Sequence, residues 1–282
     1  MANLVFDDSY SENDYIRTIQ TDFTRRAPAY NLGISGEQHR GFLNTLLAKY
    51  PPRYPLLDIA CGTALLGQLL GRHGDGVTGL DLTEAMLQHA RNALPKGTFV
   101  QGRAENLPFP DASFQSVYVC SAIVYFTDVD AVLREAYRVL ENGAFFAYQA
   151  VSLDSYVAGV ELQNALIHVF GQQRARQLFE LPHGITNDTE ANRKLMQRAG
   201  FDNIRAEMEV THEKIDVQRL ETMWDNMVGN NALLGRVRAL SSDELQRLRI
   251  RWVQGLEDRR DVEGFVPDKI ESWYVCGWKP AK

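Results

Sequence analysis

Two aspartates stand inside or at the end of short apolar runs, and their spacing gives them chemistry to do. Asp58 lies within Leu56-Leu57-Asp58-Ile59-Ala60, and Asp81 closes the run Val77 to Leu80, 23 residues further on. Between them comes a turn of small residues, Cys61, Gly62, Thr63 and Ala64, then a helical pattern at Leu65, Leu66, Leu69 and Leu70. Strand, tight turn and helix in that order bring backbone N–H groups to a ligand, because small side chains permit close approach and the first turn of a helix leaves its donors unpaired. An acid about 20 residues past such a turn is placed to accept hydrogen bonds from ribose hydroxyls. A dinucleotide turn, however, needs small residues at 60, 62 and 65, and position 65 is leucine. Asp58 would also repel a pyrophosphate and attract an ammonium group.

Other groups with chemical potential are scattered more widely. Tyr30, Arg25 and Arg26 precede the first strand, and Tyr125 follows the fourth. His39, His168 and His183 fall in segments that should surround the mouth of the sheet, where each is either a base or a structural histidine; His73 and His89 belong to scaffold helices. The cysteines Cys61, Cys120 and Cys276 are unclustered and read as reduced thiols, not as a disulfide framework or zinc site. Arg247, Arg249 and Arg251 read as a solvated helix face or, on a sharper reading, as a docking surface for an acidic carrier protein or a phosphorylated substrate.

The elements that must position these groups follow from periodicity. Residues 1–20 are polar and acidic and read as loosely held unless they fold over a ligand, whereas 15–50 turn helical, with Phe42, Leu43, Leu46 and Leu47 in one stripe. Strands are expected at the two aspartate runs, at Thr98 to Gln101, Phe114 to Cys120 and Ala144 to Ala150, with helices between them. Thr83 is the expected N-cap of one helix, and Thr127, with Asp130 three residues later, of another. Past 150 the pattern is mainly helical, broken by a strand from Asn203 to Val210 and a closing aromatic strand from Ser272 to Trp278; Ser241 and Glu244 form a capping box. The expected fold is α/β, a doubly wound parallel sheet. The expected division is an N-terminal helical lid over 1–50, a ligand-binding core over 51–150, a helical insertion over 151–186, a core helix and strand over 187–212, a helical cap over 213–265 and a core strand over 266–282.

Composition narrows the field of functions. With 282 residues, 45% hydrophobic and 23% charged, the chain can bury a sizeable core as an ordinary globular protein. A net charge of −6 argues against general nucleic-acid binding, which needs a basic surface. No basic-then-apolar leader and no membrane-length apolar run stand out, so a cytoplasmic protein with no membrane partner is expected.

Taken together, these segments resemble the class I S-adenosylmethionine-dependent methyltransferases, in particular the small-molecule group that includes quinone-biosynthesis enzymes. LLDIACGTALLG resembles the family's glycine loop, VTGLDLTEAML its ribose-binding turn, and GRAENLPFPDASFQSVYV its adenine loop and fourth strand. LREAYRVLENGAFFAY and LMQRAGF match the helix and strand that follow and the last helix before the sixth strand. The resemblance covers about residues 54–150 and implies a seven-stranded Rossmann-like sheet with its last strand antiparallel, plus helical lids. It implies S-adenosylmethionine as cofactor and its demethylated form, S-adenosylhomocysteine, as product.

By the same resemblance, Ala60, Gly62 and Ala64 would let the methionine part lie on the loop, with Asp58 drawing its ammonium. Asp81 would hold the ribose, and Leu82 and Met86 would pack on the adenine. Ala104 or Glu105 would take over the adenine contact, because Arg103 stands where the family often has an aspartate. Cys120 would underlie the methionine moiety, and Tyr30 with Arg25 or Arg26 would close the site. Where many relatives carry a histidine pair after the fourth strand, this chain has Val124-Tyr125. Tyr125, His39 and His183 therefore remain the candidates for acceptor orientation or proton transfer, and no metal is implied. The expected reaction is methyl transfer to an oxygen, nitrogen or carbon of a small apolar or aromatic acceptor. The alternatives are methylation of a carrier-bound, malonyl-type acyl group and a non-methylating regulator or cyclase on the same fold.

Overall fold

The computed structural model describes residues 11–71, 73–152, 155–179 and 188–281. Two helices, α1 (Glu12–Arg26) and α2 (Gly33–Lys49), precede the strands. The alternating section runs β1 (Leu56–Ile59), α3 (Leu65–Leu69), β2 (Val77–Asp81), α4 (Glu84–Ala93), β3 (Thr98–Gln101), β4 (Phe114–Cys120), α5 (Val129–Val139) and β5 (Leu140–Val151). After it come α6 (Val157–Leu178), α7 (Thr189–Arg198), β6 (Asp202–Asp216), α8 (Leu220–Asn230), α9 (Gly235–Arg238), α10 (Ser242–Glu257) and β7 (Phe265–Trp278).

Seven strands make one sheet in the order β3-β2-β1-β4-β5-β7-β6. The first five are parallel, as the strand–helix alternation predicts, and β7 runs antiparallel to both β5 and β6, as the resemblance implies. All four residues of β1 are buried, which a central strand covered on both faces requires. One face packs Leu43 and Leu46 of α2 with Leu65 and Leu66 of α3 against Tyr118, Phe145 and Tyr274. The other packs Val132 and Leu133 of α5 and Leu195 and Met196 of α7 against Val117, Phe146 and Val275. Chain order reverses between β1 and β4, and a crevice opens at the C-terminal ends of strands at such a switch point.

Two local readings are corrected. The N-cap of α5 is Asp128, whose carboxylate accepts from the backbone N–H of Ala131 at 2.9 Å. Thr127 is otherwise engaged, since its N–H and hydroxyl both contact Glu105. Asp128→Ala is therefore expected to lower stability by about 1 kcal/mol, measured as a shift in the denaturant midpoint, with Thr127→Val leaving the α5 cap intact. The second correction concerns β6 and β7, which pair continuously out to Asp216 and Phe265, well beyond the expected strands. The alternation Ile204, Ala206, Met208, Val210 ends at Thr211, and beyond it β6 continues on its backbone ladder with β7 alone.

A second apolar core joins α6, α8, α9 and α10 around Trp224, Leu248 and Trp252. The indole of Trp252 donates to the Ala158 carbonyl at 2.9 Å, tying α10 to α6. This helical cap is fastened to α1 by Asp22, which is buried and accepts from Arg238 at 2.6 Å.

Candidate cofactor and active site

The turn after β1 is held by left-handed backbone at Ala60, Gly62 and Ala64, with φ of 56°, 54° and 60°. Such conformations favour glycine, and the two alanines carry strain that neighbouring contacts must offset. They do so through Asp81. One carboxylate oxygen accepts from the Gly62 N–H at 2.8 Å, and the other accepts from the Thr83 N–H at 2.8 Å. The Cys61 N–H donates to the Leu80 carbonyl at 3.0 Å, so the turn is pinned to the end of β2 along two routes. The Thr83 hydroxyl and the Leu82 backbone N–H also hydrogen bond to Asp81, fixing its carboxylate at the turn.

Asp58 and Asp81 are both buried, at 4% and 8% exposure. Burial, with Asp81 nearby, pushes Asp58 up to about 8. Burial also raises Asp81 to about 6, against the pull of the backbone N–H groups. Two acids crowded in low dielectric are stabilised by a cation, and the donor set suits a ligand that brings hydroxyls and an ammonium group.

Above this turn lies a cleft of about 750 Å³, including its open mouth, within the size range of small-molecule sites. Of the expected residues, Tyr30, Ala60, Gly62, Asp81, Leu82, Ala104, Glu105, Cys120 and Tyr125 line it. Met86 and Ala64, each 1% exposed, sit in the packing outside the lining, as does Asp58. His39 also lies outside the lining, its ring edge-on to Tyr30 at 6.0 Å. Burial and the charges of Arg26 and Arg40 push His39 down to about 4, which leaves it neutral near pH 7. His168 is exposed on α6, and His183 falls outside the described residues.

The two consecutive arginines point to different partners. Arg25 pairs with Asp22 at 2.9 Å and donates to the Gly229 carbonyl, so it serves the attachment of α1 to the cap. Arg26 instead lies over the rings of Phe23 and Tyr30, 4.9 and 5.2 Å from their centroids, and hydrogen bonds with the Tyr125 hydroxyl. The helical spacing Phe23–Arg26 against Asp22–Arg25 carries this distinction, since each pair is three residues apart on its own face.

Sequence reading also missed the roof of the cleft. Ile16, Ile19 and Phe23 of α1 form it, residues that the sequence does not single out within the helical lid expected over 1–50, and the helix begins at Glu12. A capping box between Ser11 and Asp14 starts the helix, and the S-x-x-D pattern was its signal. Arg103 takes part in the roof as well. Its guanidinium donates to Glu12 at 2.6 Å, to Thr127 at 2.9 Å and to Glu105 at 3.3 Å. At the end of β4, Ser121 adopts a φ of 53° and donates its hydroxyl to Gln149 at 2.8 Å.

Residues 57–148 match the family described as methyltransferase domain. This stretch belongs to the methyltransferase family. The match spans the turn, both aspartates and β4, the elements that build the cleft. Over 167 residues, 59% of this chain, the protein is 28% identical to the malonyl-[acyl-carrier protein] O-methyltransferase of Yersinia pestis. Over 129 residues, 43% of this chain, it is 35% identical to the demethylmenaquinone methyltransferase of Thermotoga maritima. The chain covers 61% and 56% of the lengths of these two relatives. Among solved structures, a Haemonchus contortus phosphoethanolamine N-methyltransferase in complex with phosphomonomethylethanolamine and S-adenosylhomocysteine overlays with a TM-score of 0.56 at 19% identity. That overlay covers 98% of this chain and 61% of the other, and it shows a shared fold. Among the described residues, no group of three or more His, Cys, Asp or Glu could hold a metal ion, and no helix is long and apolar enough to cross a membrane.

Proposed function

We propose that the chain transfers the methyl group of S-adenosylmethionine to a small, apolar or aromatic acceptor. The observation that carries this reading is the pairing of Asp81, whose carboxylate spans the Gly62 and Thr83 N–H groups, with the buried Asp58 beneath the same turn. Asp81 would accept from the ribose hydroxyls and Asp58 would attract the ammonium. Ala60 and Gly62 admit the methionine part, and Ala64 and Met86 shape the wall from behind. Leu82 packs on the adenine, with Glu105 and the backbone at Ala104 facing its amine. Cys120 closes the floor at the end of β4. Arg26, not Arg25, is the arginine placed for the carboxylate.

The cofactor supplies a methyl group already activated by a sulfonium charge. The protein then has to align the acceptor and keep water out, and positioning of this kind accounts for most of such an acceleration. The roof formed by Ile16, Ile19 and Phe23 excludes water. Tyr125, which lines the inner cleft, orients the acceptor.

A second reading, methylation of an acyl group on a carrier protein, is supported by the likeness to the Yersinia pestis enzyme. The arginine face it would use is partly consumed, because Arg249 pairs with Glu221 and Arg247 lies 3.9 Å from Asp243. Transfer of a labelled methyl group from S-adenosylmethionine should be followed over demethylated quinols, free small acids and phenols, and malonyl groups on carrier protein. Product on free small molecules is expected. Product only on the carrier-bound acid would establish the second reading, and cofactor binding without transfer to any acceptor would favour a non-methylating role.

A further inference from the structure

The aromatic rings at the inner end of the cleft already hold a positive charge. Phe23 and Tyr30 lie with centroids 6.0 Å apart, and Phe23 meets Tyr125 edge-on at 5.4 Å. Arg26 lies over the first two rings and bonds to the hydroxyl of the third, so their electron-rich faces are turned toward a cation. Tyr30 also occupies a particular place along the cleft. Its ring packs 3.5 Å from where a Cβ on Gly62 would stand, and its hydroxyl is within electrostatic reach of both Asp81 and Cys120.

That position has a consequence for the proposed cofactor, on which this inference rests. Were the ribose held at Asp81 and the amino-acid part at Cys120, the sulfur would fall between two residues that both lie within reach of Tyr30. We propose that the Tyr30 ring, buttressed by Phe23, reads the charge on that sulfur and so favours the sulfonium donor over its neutral demethylated product. Arg26 is a positioning residue that opposes this preference. It draws on the same ring electrons and repels a second cation, while its attraction for the carboxylate serves donor and product alike.

Titration calorimetry with S-adenosylmethionine and S-adenosylhomocysteine on the full chain separates these effects, and product binding by each variant serves as its folding control. Tyr30→Leu is expected to weaken donor binding roughly tenfold more than product binding, the size of a desolvated cation–π contact. Tyr30→Phe, which keeps the ring, should preserve the wild-type donor-to-product ratio within about twofold. Arg26→Gln should weaken both ligands while moving the ratio toward the donor. Equal loss of donor and product in Tyr30→Leu would overturn the proposal and leave the ring a shape-filler, as would a Tyr30→Phe ratio matching that of Tyr30→Leu. Failure of the wild-type chain to bind either ligand would instead remove the cofactor assignment beneath it.

Discussion

Asp81→Asn is expected to weaken binding of S-adenosylmethionine on the order of 100-fold while leaving the chain folded. The substitution keeps shape and one accepting oxygen, so either the Gly62 or the Thr83 N–H retains its partner. What is lost is the negative charge that strengthens hydrogen bonds from ribose hydroxyls, each worth about 1.5–3 kcal/mol to a charged acceptor. Stability should change by no more than about 1 kcal/mol, because the N–H left facing the amide nitrogen loses its acceptor while the amide, unlike a carboxyl that burial holds up to about 6, has no charge to desolvate. Calorimetry for affinity and thermal melting for stability separate the two effects. Parallel losses in both would mean that Asp81 acts by holding the turn.

The second large effect is one of pH. Asp58, raised to about 8, is protonated in the folded chain at neutral pH, yet the proposed ligand pairs its ammonium with the ionised form. Below pH 8, binding must therefore release a proton, and affinity should fall up to about tenfold per unit of acidification, the limit for one linked proton. Above that value the α-amino group of the ligand, with an ordinary pKa of about 7.7–8.0, begins to lose its own proton. Affinity should then peak near pH 8, with proton release on the acid side and uptake on the alkaline side, read from binding heats in buffers of different ionisation enthalpy. Asp58→Asn should flatten the acid limb, and a pH-independent affinity in the wild-type chain would contradict the assignment.

Stability without ligand should run the other way. Both aspartates have folded values above their unfolded ones, so between about pH 4 and the folded values of about 6 and 8 the native state holds protons that the unfolded chain has released. Their contribution is most favourable at the acid end of that window and declines as pH rises through it, levelling above about 8.

The core of the sheet and the turn were legible in the sequence because both obey short-range rules. Buried parallel strands read as apolar runs, and a left-handed turn calls for small residues. The outer ribbon was less legible. The alternation through Met208 and Val210 marks β6 only as far as Val210, and residues 211–216 are held by backbone bonds to β7 with no apolar alternation to mark them. Arg25 and Arg26 were distinguishable in principle, by helical phase relative to Asp22 and Phe23, once α1 was known to start at Glu12. The roof over the cleft was not legible in the same way. It depends on Arg103 reaching 91 residues back to Glu12 and on Tyr15 donating to the Tyr125 carbonyl at 3.2 Å, pairings with no local pattern.

The central claim is that the turn between Asp58 and Asp81 holds a sulfonium nucleotide, and titration of the full chain with S-adenosylmethionine at pH 8 tests it most directly. The account predicts saturable binding of one molecule per chain, strongly reduced in Asp81→Asn. Absence of binding by both S-adenosylmethionine and S-adenosylhomocysteine, or binding that Asp81→Asn leaves unchanged, would contradict it.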